Sequence, residues 1–194
     1  MADIAANENH CITAFDALRS AVEKKIPIRQ NYEDHTCPLF VTWHKLVDGR
    51  SDLRGCIGNL SGLSIKDGIP QYAVIAGTQD HRFNPITPSE LPSLEVCVSL
   101  LVKYEKCENP LDWAVGTHGI IIKWDGYSAV FLPEVAFEQG WDRETTLQHL
   151  IRKAGYRAPL TPGTEAWDAL LAKIETVRYQ SSRYTMSWEE YLKK

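Results

Sequence analysis

The chain has 194 residues, of which 44% are hydrophobic and 24% are charged, so it carries enough apolar material to bury a core without disulfide bonds. A formal charge of −4, with no long run of Lys or Arg, argues against nucleic acid and anionic membranes as partners. No apolar stretch approaches the ~20 residues of a membrane span, and the N-terminus lacks the basic and apolar segments of a secretory signal.

The five cysteines are spread along the chain, with no C-x-x-C pair and no cysteine–histidine cluster at zinc-ligand spacing. An odd number of such thiols is typical of a reducing compartment, so we expect a cytoplasmic or nuclear protein. Metal-binding patterns such as H-x-H, H-E-x-x-H or an Asp-rich loop are missing as well. The sequence therefore predicts no metal and no cofactor.

The N-terminal part of the chain begins with a helix and a hairpin. Residues 1–7 are expected to be disordered, and helical spacing then links Cys11, Phe15, Leu18 and Val22, with Lys24 and Lys25 in the last turn. A β-branched and aromatic stretch over 39–46 meets Asp48-Gly49, a dipeptide typical of tight hairpins. We therefore expect residues 53–60 to be the returning strand.

The remainder of the chain adds strands joined by turns rather than by long crossovers. Helix N-caps are predicted at Ser64, Thr87 and Asp142. Strands are predicted over residues 94–103, 119–124, 127–132 and 173–180. Asp125-Gly126 joins two of these strands as a second hairpin. This order predicts an α+β fold with a mainly antiparallel sheet flanked by helices, built as one domain or as two small subdomains packed together.

One strand has an unusual composition, because Leu53-Arg54-Gly55-Cys56-Ile57-Gly58 mixes two glycines, a thiol and a guanidinium. Glycine inside a strand marks a bulge or a close approach of another group. In a regular strand Leu53, Gly55 and Ile57 share one face, while Arg54, Cys56 and Gly58 share the other. A guanidinium beside a thiol favours the thiolate, which makes Cys56 a candidate nucleophile. The alternative is a buried, inert cysteine.

A nucleophilic cysteine needs a base, and His118 and His81 are the histidines nearest to predicted elements. The other histidines are expected at the surface, namely His10, His35, His44 and His149. Asp80 and Arg82 flank His81, where Arg82 offers a fork for a carboxylate or phosphate and a solvated loop is the ordinary alternative. Glu138 lies in a turn that either serves acid–base chemistry or caps a helix.

Several segments together resemble one family. They are Leu53-Arg54-Gly55-Cys56-Ile57-Gly58, Asp80-His81-Arg82-Phe83, Leu132-Pro133-Glu134-Val135-Ala136 with Glu138-Gln139-Gly140-Trp141-Asp142, and Arg178-Tyr179-Gln180-Ser181-Ser182. In this order they resemble the AMMECR domain family, named for a human AMME-syndrome chromosomal region, over residues 8–192. The tripeptide Phe40-Val41-Thr42 and the segment 113–120 are similar to the eukaryotic branch.

The resemblance implies an α+β domain over residues 8–192 with a larger and a smaller subdomain, and a groove between them lined by the glycine–cysteine motif. It implies no particular activity. Related microbial domains occur beside or fused to Memo-type and radical-SAM proteins, which implies a shared modification or metabolic pathway.

Three functional hypotheses follow from these observations, and the last of them is a purely structural scaffold, which the polar and glycine-rich face of the motif strand disfavours. The first is an intracellular enzyme or small-ligand protein that takes an anionic ligand in a cleft, with Cys56 as nucleophile, His118 as base, Glu138 beside them, and Arg54, Gly55, Gly58, Asp80 and Arg82 holding the ligand. The second is a regulatory module that acts through a partner protein or nucleic acid without chemistry of its own. The sequence does not choose an oligomeric state.

Overall fold

The structure is a computed structural model that describes residues 4–24 and 27–194. The helices are α1 (Glu8–Arg19), α2 (Ile65–Thr78), α3 (Pro133–Glu138), α4 (Arg143–Lys153), α5 (Glu165–Leu171) and α6 (Trp188–Tyr191). The strands are β1 (Thr36–Val47), β2 (Arg50–Ser64), β3 (Leu94–Lys106), β4 (Gly119–Trp124), β5 (Tyr127–Phe131) and β6 (Glu175–Ser187). A π-helical turn, Ser20–Lys24, follows α1, and a 3-10 helix, Pro88–Ser93, precedes β3. Residues 1–3 of the expected disordered N-terminus, and Lys25 of the expected last helical turn, lie outside the described residues.

The strands form one antiparallel sheet in the order β2-β1-β3-β6-β4-β5, which confirms the predicted α+β class. Both predicted hairpins are present. Their central residues have positive φ, at 50° and 75° for Asp48 and Gly49 and at 41° and 83° for Asp125 and Gly126. This is the backbone that a two-residue type I′ turn requires, and it explains why an Asp-Gly pair stands at each position.

The predicted helix starts agree with the structure. Ser64 accepts a hydrogen bond from the Asp67 N–H, Asp142 accepts one from the Thr145 N–H, and Thr87 opens a capping box with Glu90. Some elements differ from the prediction. The segment expected to be a turn after β5 is helix α3, α6 was not foreseen, and the last strand runs to residue 187 instead of 180.

The chain divides into two compact units, the first comprising residues up to Leu101 together with Ser182–Lys194. Helices α1 and α2 contact each other, and both belong to this unit. Its largest buried side chain is Trp43, whose indole N–H donates to the Ala73 carbonyl at 2.9 Å. Because the ring is fully buried and its one polar atom is paired, α2 is fixed against β1.

His10 was expected at the surface, and this expectation is wrong. It is buried on α1, where its Nδ1 accepts the Asn7 N–H and its ring meets Tyr32 edge-on at 4.4 Å. Burial, together with the nearby His35, lowers the pKa of His10 to about 4. A histidine in a capping box is thus held neutral inside the fold.

The second unit comprises Val102–Ser181. Its core is formed by apolar residues of β4, α4 and α5, including Ile120, Ile122, Leu147, Leu150 and Trp167. Gly155, with φ at 101°, follows α4 in the left-handed conformation that ends helices, as its position predicts. Within residues 4–24 and 27–194, every helix is too short or too polar to cross a lipid bilayer.

Candidate functional site

The glycine–cysteine strand contains a β-bulge at Arg54. Trp43 of β1 stands opposite Gly55, and the next residue, His44, stands opposite Leu53, so Arg54 has no opposite residue. Residues directly opposite each other share a face, and Trp43 and His44 point to opposite faces. Leu53 and Gly55 are therefore on different faces. The prediction that they share one is wrong, and Leu53 is 40% exposed.

Both glycines of the motif are required by close contacts. A Cβ on Gly55 would lie 3.1 Å from the carbonyl carbon of Ala76 at the end of α2, and closer still to its oxygen. A Cβ on Gly58 would overlap the Leu39 carbonyl oxygen and the Phe40 ring. The absence of side chains lets α2 and the Phe40 ring approach the β2 backbone.

Cys56 is held by contacts to its side chain and to its backbone. It stands opposite Thr42, whose hydroxyl donates to the Cys56 sulfur at 3.1 Å. The Cys56 N–H donates to Asp80 Oδ2 at 2.9 Å, and Arg82 Nη2 donates to the Cys56 carbonyl at 3.2 Å. Because β2 is the outermost strand of the sheet, these two side chains occupy the hydrogen-bonding positions of a neighbouring strand.

Asp80 and Arg82 form an ion pair at 2.7 Å in which the carboxylate is buried and the guanidinium is half exposed. Hydrogen bonds from Arg82, and then from the Cys56 N–H, hold the pKa of Asp80 well below its usual range despite burial. The same pair raises the pKa of Arg82. Both groups are therefore charged at neutral pH.

A second ion pair joins Arg54 at the bulge to the 3-10 helix. Arg54 Nε and Nη2 donate to the two oxygens of Glu90 at 3.0 and 3.2 Å, and Lys45 Nζ lies 3.3 Å from Glu90 Oε1. The bidentate bond from Arg54 is the main reason that the pKa of Glu90 falls to about 2. The guanidinium predicted to face the thiol is thus bound to a carboxylate.

The two guanidiniums lie over one aromatic ring, with the Cζ atoms of Arg54 and Arg82 at 5.9 and 5.5 Å from the centroid of Phe83. Arg54 Nη1 is buried and has no hydrogen-bond partner among the residues that the structure describes. With Lys45, the cluster holds three cations against two carboxylates. It keeps one excess positive charge beside an unsatisfied donor.

The sequence profile of one family, AMMECR1, matches residues 11–184 of this chain. The chain belongs to the AMMECR1 family. An uncharacterised protein of Arabidopsis thaliana is 39% identical over 97% of this chain and 89% of its own length. An uncharacterised Schizosaccharomyces pombe protein is 35% identical over 95% of each chain. The crystal structure of an uncharacterised Pyrococcus horikoshii protein is similar, with a TM-score of 0.66 and 25% identity over 91% of this chain and 89% of that one.

In this AMMECR1-family chain, the first unit brings together six of the predicted site residues: Arg54, Gly55, Cys56, Gly58, Asp80 and Arg82. His118 and Glu138 belong to the second unit. His118 Nδ1 accepts the Ala114 N–H at 3.0 Å, and partial burial, with Arg178 nearby, lowers the pKa of His118. Glu138 is the exposed last residue of α3.

Sequence reasoning missed Thr42, Lys45, Phe83 and Glu90 as parts of this cluster. Glu90 was recognised only as a capping residue, and it does accept the Thr87 N–H at 3.0 Å while it binds Arg54. The sequence pattern that could have found Glu90 is the capping box. It predicts the position of Glu90 at the start of the helix, but not which cation forms an ion pair with it. Among the described residues, no three His, Cys, Asp or Glu side chains come together as a metal ion would require.

Proposed function

We propose that the first unit binds a small anionic ligand, one that presents a carboxylate or a phosphate, at the cluster of Arg54, Cys56, Asp80 and Arg82. The observation that carries the proposal is the buried Arg54 Nη1, which lacks a hydrogen-bond partner among the described residues. A buried donor left unpaired costs about 1–3 kcal/mol, more for a charged group. Because Arg54 Nη1 has almost no surface open to solvent, an anion oxygen displaces a neighbouring side chain when it supplies the acceptor that this donor lacks.

The electrostatics of the cluster favour the same class of ligand. The cations Lys45, Arg54 and Arg82 exceed the carboxylates Asp80 and Glu90 by one charge. The side chain of Arg82 is 55% exposed although it is held by Asp80, so its guanidinium is oriented in advance and accessible. A guanidinium fixed in this way loses little conformational entropy when it binds an anion.

Cys56 supplies the possible chemistry of this site. It is half-buried, whereas the other four cysteines are buried. In the enzyme form of the proposal, Cys56 is the nucleophile beside the bound anion. The predicted base His118 and Glu138 belong to the second unit. The implied link to Memo-type and radical-SAM proteins then makes the ligand an intermediate of a modification or metabolic pathway, in the cytoplasm or the nucleus.

A regulatory module without catalysis is the second candidate. It is favoured by the packing of the motif, since both glycines are explained by the Ala76 carbonyl and the Phe40 ring without any ligand. Under this hypothesis a Cys56→Ser variant keeps full cellular function, while an Arg54→Glu variant loses a partner protein. The enzyme hypothesis expects the opposite result for Cys56→Ser.

Ligand binding is tested by titrating inorganic phosphate and small carboxylates into isotope-labelled protein and following the guanidinium and amide signals by NMR. We expect the Arg54 side-chain signals and the amides of Cys56 and Arg82 to shift together. Arg54→Lys keeps the charge but removes the fork, so affinity should fall about ten-fold. Arg50→Lys, an exposed position on the same strand, is the matched control. Equal binding by both variants, or no shift at Arg54 with any anion, contradicts the proposal.

A further inference from the structure

The carboxylate of Glu90 occupies the Arg54 guanidinium that the proposed anion site requires. Arg54 Nε and Nη2 donate to Glu90 Oε1 and Oε2 at 3.0 and 3.2 Å. This bidentate pairing is the one that a carboxylate ligand makes with a guanidinium. The side chains of Arg54 and Glu90 are 13% and 18% exposed. An incoming anion must therefore take the place of Glu90, so the two compete for one guanidinium.

Each carboxylate oxygen of Glu90 has a second partner that remains when Arg54 is released. Oε1 also lies 3.3 Å from Lys45 Nζ. Oε2 also accepts the Thr87 N–H at 3.0 Å, in the capping box that starts the 3-10 helix. A carboxylate that keeps a cation and a backbone donor avoids the penalty of an unpaired charge. Glu90 can thus give up Arg54 to a ligand while it still caps the helix.

A ligand with one anionic group gains little from this exchange. It makes with Arg54 the same pairing that Glu90 already makes, and it loses the translational and rotational freedom of a free molecule. Glu90 is attached to the chain, so its effective concentration at Arg54 is high. A ligand that displaces Glu90 therefore needs a second group that binds elsewhere in the cluster.

Arg82 is placed to bind that second group. Its Nε and Nη2 donate to Asp80 at 3.0 and 2.7 Å, which orients the guanidinium, and its side chain is 55% exposed. The Cζ atoms of Arg54 and Arg82 lie 5.9 and 5.5 Å from the centroid of the same Phe83 ring. Because both cations lie against one ring, a short molecule can contact both of them.

We propose, resting on the anion site proposed above, that the ligand is a short dianion and that Glu90 sets its affinity by competing for Arg54. One anionic group of the ligand replaces Glu90 on Arg54, and the other binds Arg82. The carbon chain between the two groups lies along Phe83. Glu90 keeps its two other partners. Monoanions, which lack the second group, bind too weakly to displace it.

Three probes of matched length test the need for a second charge: succinate, succinamate, in which one carboxylate is an amide, and butyrate, in which it is a methyl group. Binding is followed by NMR at the Arg54 side chain and at the amides of Cys56 and Arg82. Ionic strength is held constant, at a pH at which both carboxylates of succinate are ionised. We expect succinate to bind about ten-fold more tightly than either monoanion, the effect of one additional charged hydrogen-bonded pair.

Glu90→Gln removes the competing charge and keeps an acceptor for the Thr87 N–H, since glutamine also serves in a capping box. We expect this variant to bind all three probes about ten-fold more tightly, because the ligand no longer breaks an ion pair. Asp52→Asn, which removes a carboxylate from an exposed position of β2, is the matched control. It should change these affinities less than about two-fold, because solvent and salt screen a surface charge. Arg82→Lys keeps the charge but loses the fork, so it should reduce the preference for succinate.

Two results would overturn the inference and leave the anion site standing. One is equal affinity of the unmodified protein for succinate and succinamate. The other is a gain in affinity in Glu90→Gln that is no larger than the gain in Asp52→Asn. No shift with any probe, in the unmodified protein or in Glu90→Gln, would overturn the anion site together with the inference. The comparison of succinate with succinamate needs no variant, so it decides the inference even if a variant does not fold.

Discussion

Replacing Gly55 by alanine tests whether the end of α2 is seated on the β2 backbone. The new Cβ would stand 3.1 Å from the Ala76 carbonyl carbon and closer to its oxygen, whereas carbon contacts settle at about 3.5–4.0 Å. Both partners are backbone, so no side-chain rotation relieves the overlap. Overpacking of this kind costs about 3 kcal/mol, the upper end of its usual range, and loss of unfolded-state freedom returns at most about 1 kcal/mol.

We therefore expect Gly55→Ala to lower the free energy of unfolding by about 2 kcal/mol or more, and Tm by roughly 4–8 °C for a chain of this size. Gly62→Ala is the control on the same strand, because its Cβ would meet only the Thr36 methyl at 3.0 Å. Thermal unfolding followed by circular dichroism compares the two variants. If they unfold within 1 °C of each other, the close approach of α2 is refuted.

Three further results are expected. Glu90→Gln keeps the capping box and should lower Tm at neutral pH. This loss of Tm should shrink as pH falls from 4.5 towards 2, because a carboxylate with a depressed pKa stabilises the fold only while it is ionised. A loss that does not change with pH would contradict this. A limiting amount of thiol reagent should label the native protein at Cys56 first, and Cys56→Ser should abolish the fast phase of labelling. The reason is that the other thiols are buried, and burial raises the pKa of Cys37 to about 11. A fast labelling phase that is unchanged in Cys56→Ser would contradict this. The NMR signals of His10 should report a neutral ring at pH 5. The free energy of unfolding should decline as pH falls from 6.5 towards 4, because in this range the His10 ring is protonated in the unfolded chain but not in the folded one. Protonation of the folded ring near pH 6.5 would disprove its burial.

The two hairpins and the strand of β3 were accessible to sequence reasoning because they depend on local chemistry. The residues of Asp48-Gly49 and Asp125-Gly126 themselves favour the positive φ values that a type I′ turn requires, and both turns are present as predicted. The alternation of β3 likewise predicted its strand. The missed helices α3 and α6 span only six and four residues, which is too short for a helical period to show in the sequence.

The bulge at Arg54 is the decisive feature that local patterns did not reveal. A regular hairpin continued from Asp48-Gly49 would set Val41 opposite Cys56 and turn the thiol towards the buried face. One extra residue changes the register, so Thr42 stands opposite Cys56 and Gly55 takes the buried position opposite Trp43. Which residue bulges depends on the fit of Gly55 against α2, a contact between distant parts of the chain. The ion pair of Arg54 with Glu90 depends on the same register, which is why Glu90 was not foreseen as its partner.

The position of Asp80 and Arg82 along the outer side of β2 also protects the folded protein from self-association. An outermost strand exposes peptide groups that can recruit a strand from another molecule, and such pairing starts aggregation. At Cys56 both peptide groups are already occupied by a carboxylate and a guanidinium, between the exposed Leu53 and Leu60. Asp80 and Arg82, which orient the candidate ligand site, thus also block the pairing of β2 with a strand of another molecule.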